Sequence, residues 1–548
     1  MRFAAPLLAV LCALVLFTAL DRPGFIDDRE ARDARVARDC VRHREVLTPQ
    51  AGGDPVYEKP MLAYAPEVVA FSLSRSPATR NTPMRSRQAR GLGALALVLL
   101  TGSIASRRFG IRAGWCSTIA LVTMLGVPLA ARTDGTQVFA TLLGWCAAGI
   151  LSGAVLRPEA SRDAALALAY AALAGTALVG GPLAALWPCG GIALYAALTR
   201  DRAAWHRTRP LTGLAIVLGL ALPWYGTQVF LHGGSWLTRA VWFPYGLDAH
   251  AAWFSGPLIA LSVLVLASFP WSVLMPEATR HAAAQPDAHA AHLQIAFLAC
   301  ALLPVILHPG VPLSAALPAL PAAAMLCGRF TDHVLENPES LHGAVARAAR
   351  TLALLGSGGA LLLAIASSRV PDAASDVRLL AAATFLTSWL PLLAVWRGRH
   401  AIAVALIALP VALGAPLTSA ILLPRLEHYL NARDVAAAMN NRSPESAPLA
   451  VFAPAPPSLN YYTHRNIVRI EPEAAALQRL CAEDGQAYAA FSPALESDVA
   501  RRLGAPLEIL WRGPTMMLAR ANLAHAEISR PDSSVSPPPA IVPRERAR

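Results

Sequence analysis

Long apolar runs recur along the chain from residue 3 to residue 423. They fall at 3–20, 90–106, 113–131, 136–155, 164–180, 182–198, 211–230, 254–275, 291–307, 311–328, 350–368, 379–395 and 401–423. Each approaches the ~20 residues that a helix needs to cross a bilayer. None alternates with the period of two expected of a transmembrane barrel strand. The pattern predicts an all-α polytopic membrane domain over residues 1–428 with about thirteen transmembrane helices. Between the first two spans lies a long mixed loop, residues 21–88. After residue 428 helical patches near 431–440 and 473–482 alternate with strand-like runs Leu449–Phe452, Ile467–Ile470, Ala487–Phe491 and Met516–Ala519. This predicts a small α/β domain over 429–522. The remaining 523–548 are rich in Pro and Ser and read as a disordered tail.

Composition sharpens this reading. Hydrophobic residues make up 55% of the 548 and charged residues only 15%, against about 25% charged in a typical soluble protein. A water-soluble globular enzyme is thereby excluded, and so is disorder over the bulk of the chain. The net charge of +12 does not call for a nucleic-acid partner, because the arginines sit in short loops between spans. With the N-terminus in the cytoplasm, the short inner loops carry sixteen arginines and the short outer loops four, the bias that orients a membrane protein. No small-x-small cleavage site follows the first run, and an odd number of spans puts the α/β domain in the periplasm. One stretch resists: Ser74–Arg90 holds five arginines and falls outside. The cysteines show neither a metal-ligand spacing nor a disulfide framework. Trp224, Tyr225 and Trp271 read as interfacial-belt aromatics.

The spans are nearly free of charge. A charged side chain at mid-bilayer costs roughly 2.5–3.5 kcal/mol and marks an ion or proton path, so its absence argues against proton-coupled transport. The acidic residues gather in the outer loops, most densely in Asp27-Asp28-Arg29-Glu30-Ala31-Arg32 and on to Asp39, with Val56-Tyr57-Glu58-Lys59-Pro60 closing the segment. Lys59 is the only lysine among 47 basic residues, which points to a place where a compact ammonium is needed. Carboxylates, an Arg-rich helix and a Glu-Lys-Pro turn fit the gripping of a phosphate. The same charges also fit a solvated amphipathic helix with i,i+4 ion pairs.

The stretch DDREARDARVARD…DPVYEKPMLAY resembles the first outer loop of polytopic GT-C glycosyltransferases, in the aminoarabinose transferase and protein O-mannosyltransferase group. Glu30, Arg32, Ala34, Ala37, Arg38, Pro49, Gly53, Tyr57, Lys59, Pro60, Leu62 and Tyr64 fall in register with its pattern. Ala131-Arg132-Thr133-Asp134 looks like the second acidic motif, and Pro457–Tyr462 like the start of the outer α/β domain. The chain departs from the pattern at Arg29, which replaces an acid, at Asp33, which replaces a Tyr, and at Met61, which replaces a second Pro. An arginine usual in the aromatic-rich loop before span 8 is also missing, where Asp248 and His250 stand.

The resemblance implies a sugar donor on a polyprenyl phosphate, a lipid or protein acceptor, and a monomer in the bacterial inner membrane among membrane lipids. It implies that Lys59 and Arg32 hold the donor phosphate and that Asp28, with Asp27 and Glu30 beside it, supplies the catalytic carboxylate. Glu58 and Asp134 would share a divalent metal or an acceptor site, and Met61–Leu73 would lie along the membrane without spanning it. A flippase or transporter of lipid-linked envelope intermediates is the alternative reading. An inactive envelope scaffold is a third, encouraged by Arg29.

Overall fold

The structure is a computed structural model. It describes residues 4–522 except 27, 44–48, 52–53, 57–58, 74–82, 158, 160–161, 235, 237–255, 286–287, 308–311, 431, 444–448, 452–457, 464–466, 470–485 and 504–506. The expected helix at 473–482, Asp248, His250 and the tail 523–548 lie outside the described residues. The chain divides into two compact units, Met1–Asn431 and Ala432–Arg548.

The first unit is helical. It begins with α1 (Ala4–Phe17), α2 (Asp28–His43), a two-residue hairpin pairing β1 (Gln50–Ala51) with β2 (Asp54–Pro55), α3 (Ala65–Ser72), α4 (Met84–Phe109), α5 (Ile111–Val122), α6 (Gly126–Thr133) and α7 (Gly135–Leu156). Among the described residues, ten helices are long and apolar enough to cross a membrane. The pair α5 and α6, bent by 56°, makes an eleventh if taken as one broken span. The apolar helices α1 and Gly256–Ala267 are shorter. These thirteen segments coincide with the thirteen apolar runs, because burial in lipid demands a helix wherever apolar length permits one. Helix α3 has only eight residues, about 12 Å at 1.5 Å per residue, and so runs beside the bundle without crossing it.

The break between α5 and α6 is satisfied by its neighbours. Leu125 N donates to Phe269 O at 2.8 Å, and Trp271 Nε1 donates to Thr123 Oγ1 at 2.8 Å. The first bond supplies the partner that a backbone group freed in a membrane helix needs, and the second ties the indole to the break. Trp271 is therefore a core residue, 2% exposed, and the belt reading of it is corrected. The centre of the bundle holds Trp145, Trp187 and Phe297, with ring centroids 5.2–6.0 Å apart, and Trp145 Nε1 donates to Pro318 O at 2.9 Å.

Helix Leu320–Glu336 meets α5 at Gly328. A Cβ there would stand 2.6 Å from Ser117 N and 2.8 Å from Ser117 Cα, and backbone cannot step aside as a side chain can. Gly328→Ala is expected to destabilise the bundle by about 1–3 kcal/mol, the range for overpacking. Thermal melting in detergent reads this, with Gly358→Ala as the control. Nothing among the described residues lies within 4 Å of a Cβ at Gly358.

The second unit is a mixed five-stranded sheet in the order β4-β3-β5-β7-β6. Strand β3 (Leu449–Val451) pairs in parallel with β4 (Ile467–Arg469) and with β5 (Gln486–Phe491). Strand β7 (Met517–Asn522) pairs antiparallel with β5 and with β6 (Leu507–Arg512). Four of the five strands lie where the sequence pattern expects them. The fifth, β6, is an edge strand without a fully buried side chain, and its pairing is interrupted by an irregularity between Ile509 and Trp511. A strand of that kind carries no clean two-residue alternation.

Candidate active site

Helix α2 reads DREARDARVARDCVRH, a sequence too charged to be stable inside a bundle unless its charges find partners. Glu30, Asp33, Ala34 and Ala37 recur at i, i+3, i+4 and i+7 and so share one face. All four are buried, as are Ala31, Val36 and Cys40. The solvated surface helix that the charge pattern allows is therefore corrected: α2 is packed into the fold. Its i,i+4 pair Arg35–Asp39 is present at 3.8 Å.

Lys59 stands just before Pro60, which is extended at φ −69°, ψ 163° and leads into the short turn of 3-10 helix Met61–Ala63. That turn seats Tyr64 under the lysine, with Nζ 5.6 Å from the ring centroid. The lysine is 6% exposed. Its ammonium donates to both carboxylate oxygens of Asp33, each at 3.1 Å, and to Thr136 Oγ1 at 2.8 Å. Thr136 Oγ1 in turn donates to Asp33 Oδ2 at 3.3 Å. Three separate segments thus converge on one cation: α2, the turn after β2, and the start of α7.

A second charged cluster ties α2 to α3 and α4. Arg87 Nε donates to Glu30 Oε1 at 2.7 Å and Arg87 Nη2 to Glu30 Oε2 at 3.2 Å. Its Nη1 caps the chain after α1, donating to Pro23 O at 2.7 Å and Leu20 O at 3.3 Å. Arg90 Nε donates to Glu67 Oε1 at 2.7 Å, and Ser86 Oγ donates to Glu67 Oε2 at 2.7 Å. Arg90 Nη1 stands 3.5 Å from Glu30 Oε1 and donates to Arg132 O at 3.0 Å. Glu30, Arg87 and Arg90 are all at most 1% exposed. Burial of unpaired charge is prohibitive, and mutual pairing with good hydrogen bonds is what makes such a cluster tolerable.

This cluster accounts for two of the five arginines that ran against the charge rule, Arg87 and Arg90; Arg75 and Arg80 lie outside the described residues. Helix α4 begins at Met84, six residues before the apolar run at 90, so Arg87 and Arg90 stand one turn apart on one face and turn inward. Arg132 likewise donates to Ala19 O at 3.3 Å and to Thr18 O, satisfying carbonyls just past the end of α1. These arginines are absorbed by internal partners and carry no orienting charge into a loop.

The two clusters meet at Gly135. A Cβ there would lie 2.9 Å from Glu67 Oε1 and 3.1 Å from Arg90 Nε, so α7 starts in close contact with the ion pair, with Thr136 beside Lys59. Asp134 is the N-cap of α7, accepting from Gln137 N at 3.0 Å and from Ser314 Oγ at 2.7 Å. Asp28 is the first residue of α2, and Arg32 is half-buried one turn further on. Asp27 and Glu58 lie outside the described residues. Among the described residues, no group of three or more His, Cys, Asp or Glu is placed to hold a metal ion.

Sequence reasoning missed Asp33, Thr136, Glu67, Arg87 and Arg90. The spacing of Asp33 from Glu30 and Ala37 is a usable signal, and Arg87 and Arg90 belong to the stretch that resists the charge rule; nothing local marks Glu67 or Thr136.

Known structures resemble this arrangement through its fold. The structure superposes on the ArnT of Cupriavidus metallidurans bound to undecaprenyl phosphate with a TM-score of 0.75 at 18% identity, covering 95% of this chain and 98% of that one. The apo form of the same ArnT gives 0.76 at 17% identity, over 94% and 97%. The chain has the GT-C fold. An oligosaccharyltransferase, AglB of Archaeoglobus fulgidus in complex with an inhibitory peptide and a dolichol-phosphate, matches more distantly. Its TM-score is 0.51 at 11% identity, over 90% of this chain and 70% of that one. No protein-family model and no curated protein sequence matches the chain. The GT-C fold of this chain is a multi-span membrane fold, and Lys59 lies in the segment that joins its first two apolar runs.

Proposed function

We propose that this protein is a glycosyltransferase that moves a sugar from a polyprenyl-phosphate donor to a lipid or protein acceptor at the outer face of the bacterial inner membrane. The observation that carries the reading is the chain's single lysine, buried in a GT-C bundle and held by Asp33 and Thr136. Such a buried ammonium suits a phosphate that gains charge as it departs. The undecaprenyl phosphate bound by the superposable ArnT supports the donor class.

In the proposed reaction the bond between the sugar's anomeric carbon and its phosphate oxygen breaks. The electron pair stays on that oxygen, where Lys59 and Arg32 stabilise it. The acceptor hydroxyl oxygen forms the new bond to the anomeric carbon, and its proton passes to the carboxylate of Asp28, or of Asp27 beside it. A phosphate acceptor has no proton to give and needs only orientation. Spacing on α2 puts Asp28 and Arg32 at i and i+4, one turn apart. Glu30 anchors α2 through Arg87. Glu58 and Asp134 belong to the acceptor side, and no step here uses a metal.

Envelope lipids and glycoproteins from a deletion strain, with and without the wild-type gene restored, test the proposal by mass spectrometry. A pentose or hexose increment that appears only with the gene identifies both sugar and acceptor. Identical spectra at matched protein level sink the enzyme reading and favour a flippase or a scaffold.

A further inference from the structure

We propose that Asp33 is a built-in competitor for the phosphate site, one that makes the spent carrier leave after transfer. The inference rests on the reading of Lys59 as the phosphate-binding cation. Asp33 grips Nζ with both oxygens at 3.1 Å, and the Thr136 hydroxyl bonds both partners. The carboxylate is therefore held in place from α7 as well as from α2. Any phosphate that reaches Lys59 shares the ammonium with a fixed negative charge.

That charge acts unequally on substrate and product. The donor is a phosphodiester with one negative charge. The product is a phosphomonoester, which approaches two above its second pKa of about 6. Repulsion from a neighbouring like charge grows with the ligand's charge. Asp33 thus penalises the product more than the donor, and the site releases what it has just made. The resemblance pattern carries a Tyr at this position, so the carboxylate that pairs with Lys59 is a departure of this chain from that pattern.

The test is equilibrium binding of two probes to the detergent-solubilised full chain at pH ~8, above the monoester's second pKa: farnesyl phosphate, and its methyl diester. Asp33→Asn is expected to tighten farnesyl phosphate by about tenfold and the diester by at most about threefold. Asp33→Glu keeps the charge and should keep the wild-type ratio of the two affinities. The ratio is read within one sample, so a change in the folded fraction does not move it. An unchanged ratio in Asp33→Asn, or weaker binding of the monoester, overturns the proposal. Lys59→Ala separates the layers. If it abolishes binding of both probes while the Asp33→Asn ratio stays at the wild-type value, Asp33 alone is misassigned. If it leaves both affinities unchanged, the phosphate reading of Lys59 fails and this inference fails with it.

Discussion

Lys59→Ala is expected to lower glycosyl transfer from a polyprenyl-phosphate donor by about 10²–10³-fold, the usual loss when a preorganised group at a developing anion is removed. The loss should appear in donor affinity as well as turnover, because Lys59 holds the donor phosphate and charge builds on that phosphate as the sugar departs. Lys59→Arg should recover little of it. The ammonium sits between Asp33, Thr136 and the Tyr64 ring, and a planar guanidinium cannot occupy a pocket shaped for a compact charge. Purified protein, a synthetic lipid-linked sugar and an acceptor extract suffice for the measurement. An Arg variant with wild-type turnover would show that charge alone matters and that the single lysine is an accident of composition.

Arg87→Ala is expected to produce a large loss of stability. It strips Glu30, which is fully buried, of its closest cation and leaves the Pro23 and Leu20 carbonyls without their donor. Removing one partner of a buried ion pair typically costs about 3–5 kcal/mol. Glu30→Ala should cost a similar amount, since it leaves Arg87 and Arg90 facing each other across the vacancy. Thermal inactivation in detergent, alongside transfer activity per folded molecule, distinguishes anchoring from catalysis. If Glu30 is an anchor, the folded fraction of Glu30→Gln retains donor affinity close to wild type. A Glu30→Gln protein that melts normally yet transfers nothing would return Glu30 to the catalytic carboxylates.

A part of the candidate site is legible in the sequence. Lys59 is conspicuous as the one lysine, and the first-loop motif places it beside carboxylates. The partners of Lys59 are not legible there. Asp33 is 26 residues away in the chain and Thr136 is 77, and a threonine that opens a membrane helix looks like any other. Arg87 and Arg90, two of the five arginines of Ser74–Arg90, look like part of a violation of the charge rule because that rule sums charges by loop. It has no means of seeing that Arg87 pairs with Glu30, 57 residues earlier, or Arg90 with Glu67, 23 residues earlier. Trp271 fails for the same reason. An indole near a span end is a belt residue unless something buried accepts its N–H, and Thr123, 148 residues away, does so.

From sequence alone come the class of the protein, the thirteen apolar segments and most strands of the second unit. These follow from quantities summed locally along the chain: apolar length sets a span, and alternation sets a strand. Tertiary structure decides which charges are buried, which carboxylate holds Lys59, and where the apparently misplaced arginines go. A charge is stable inside a bundle only when packing delivers its opposite within about 3 Å, and that meeting depends on how distant segments fold together.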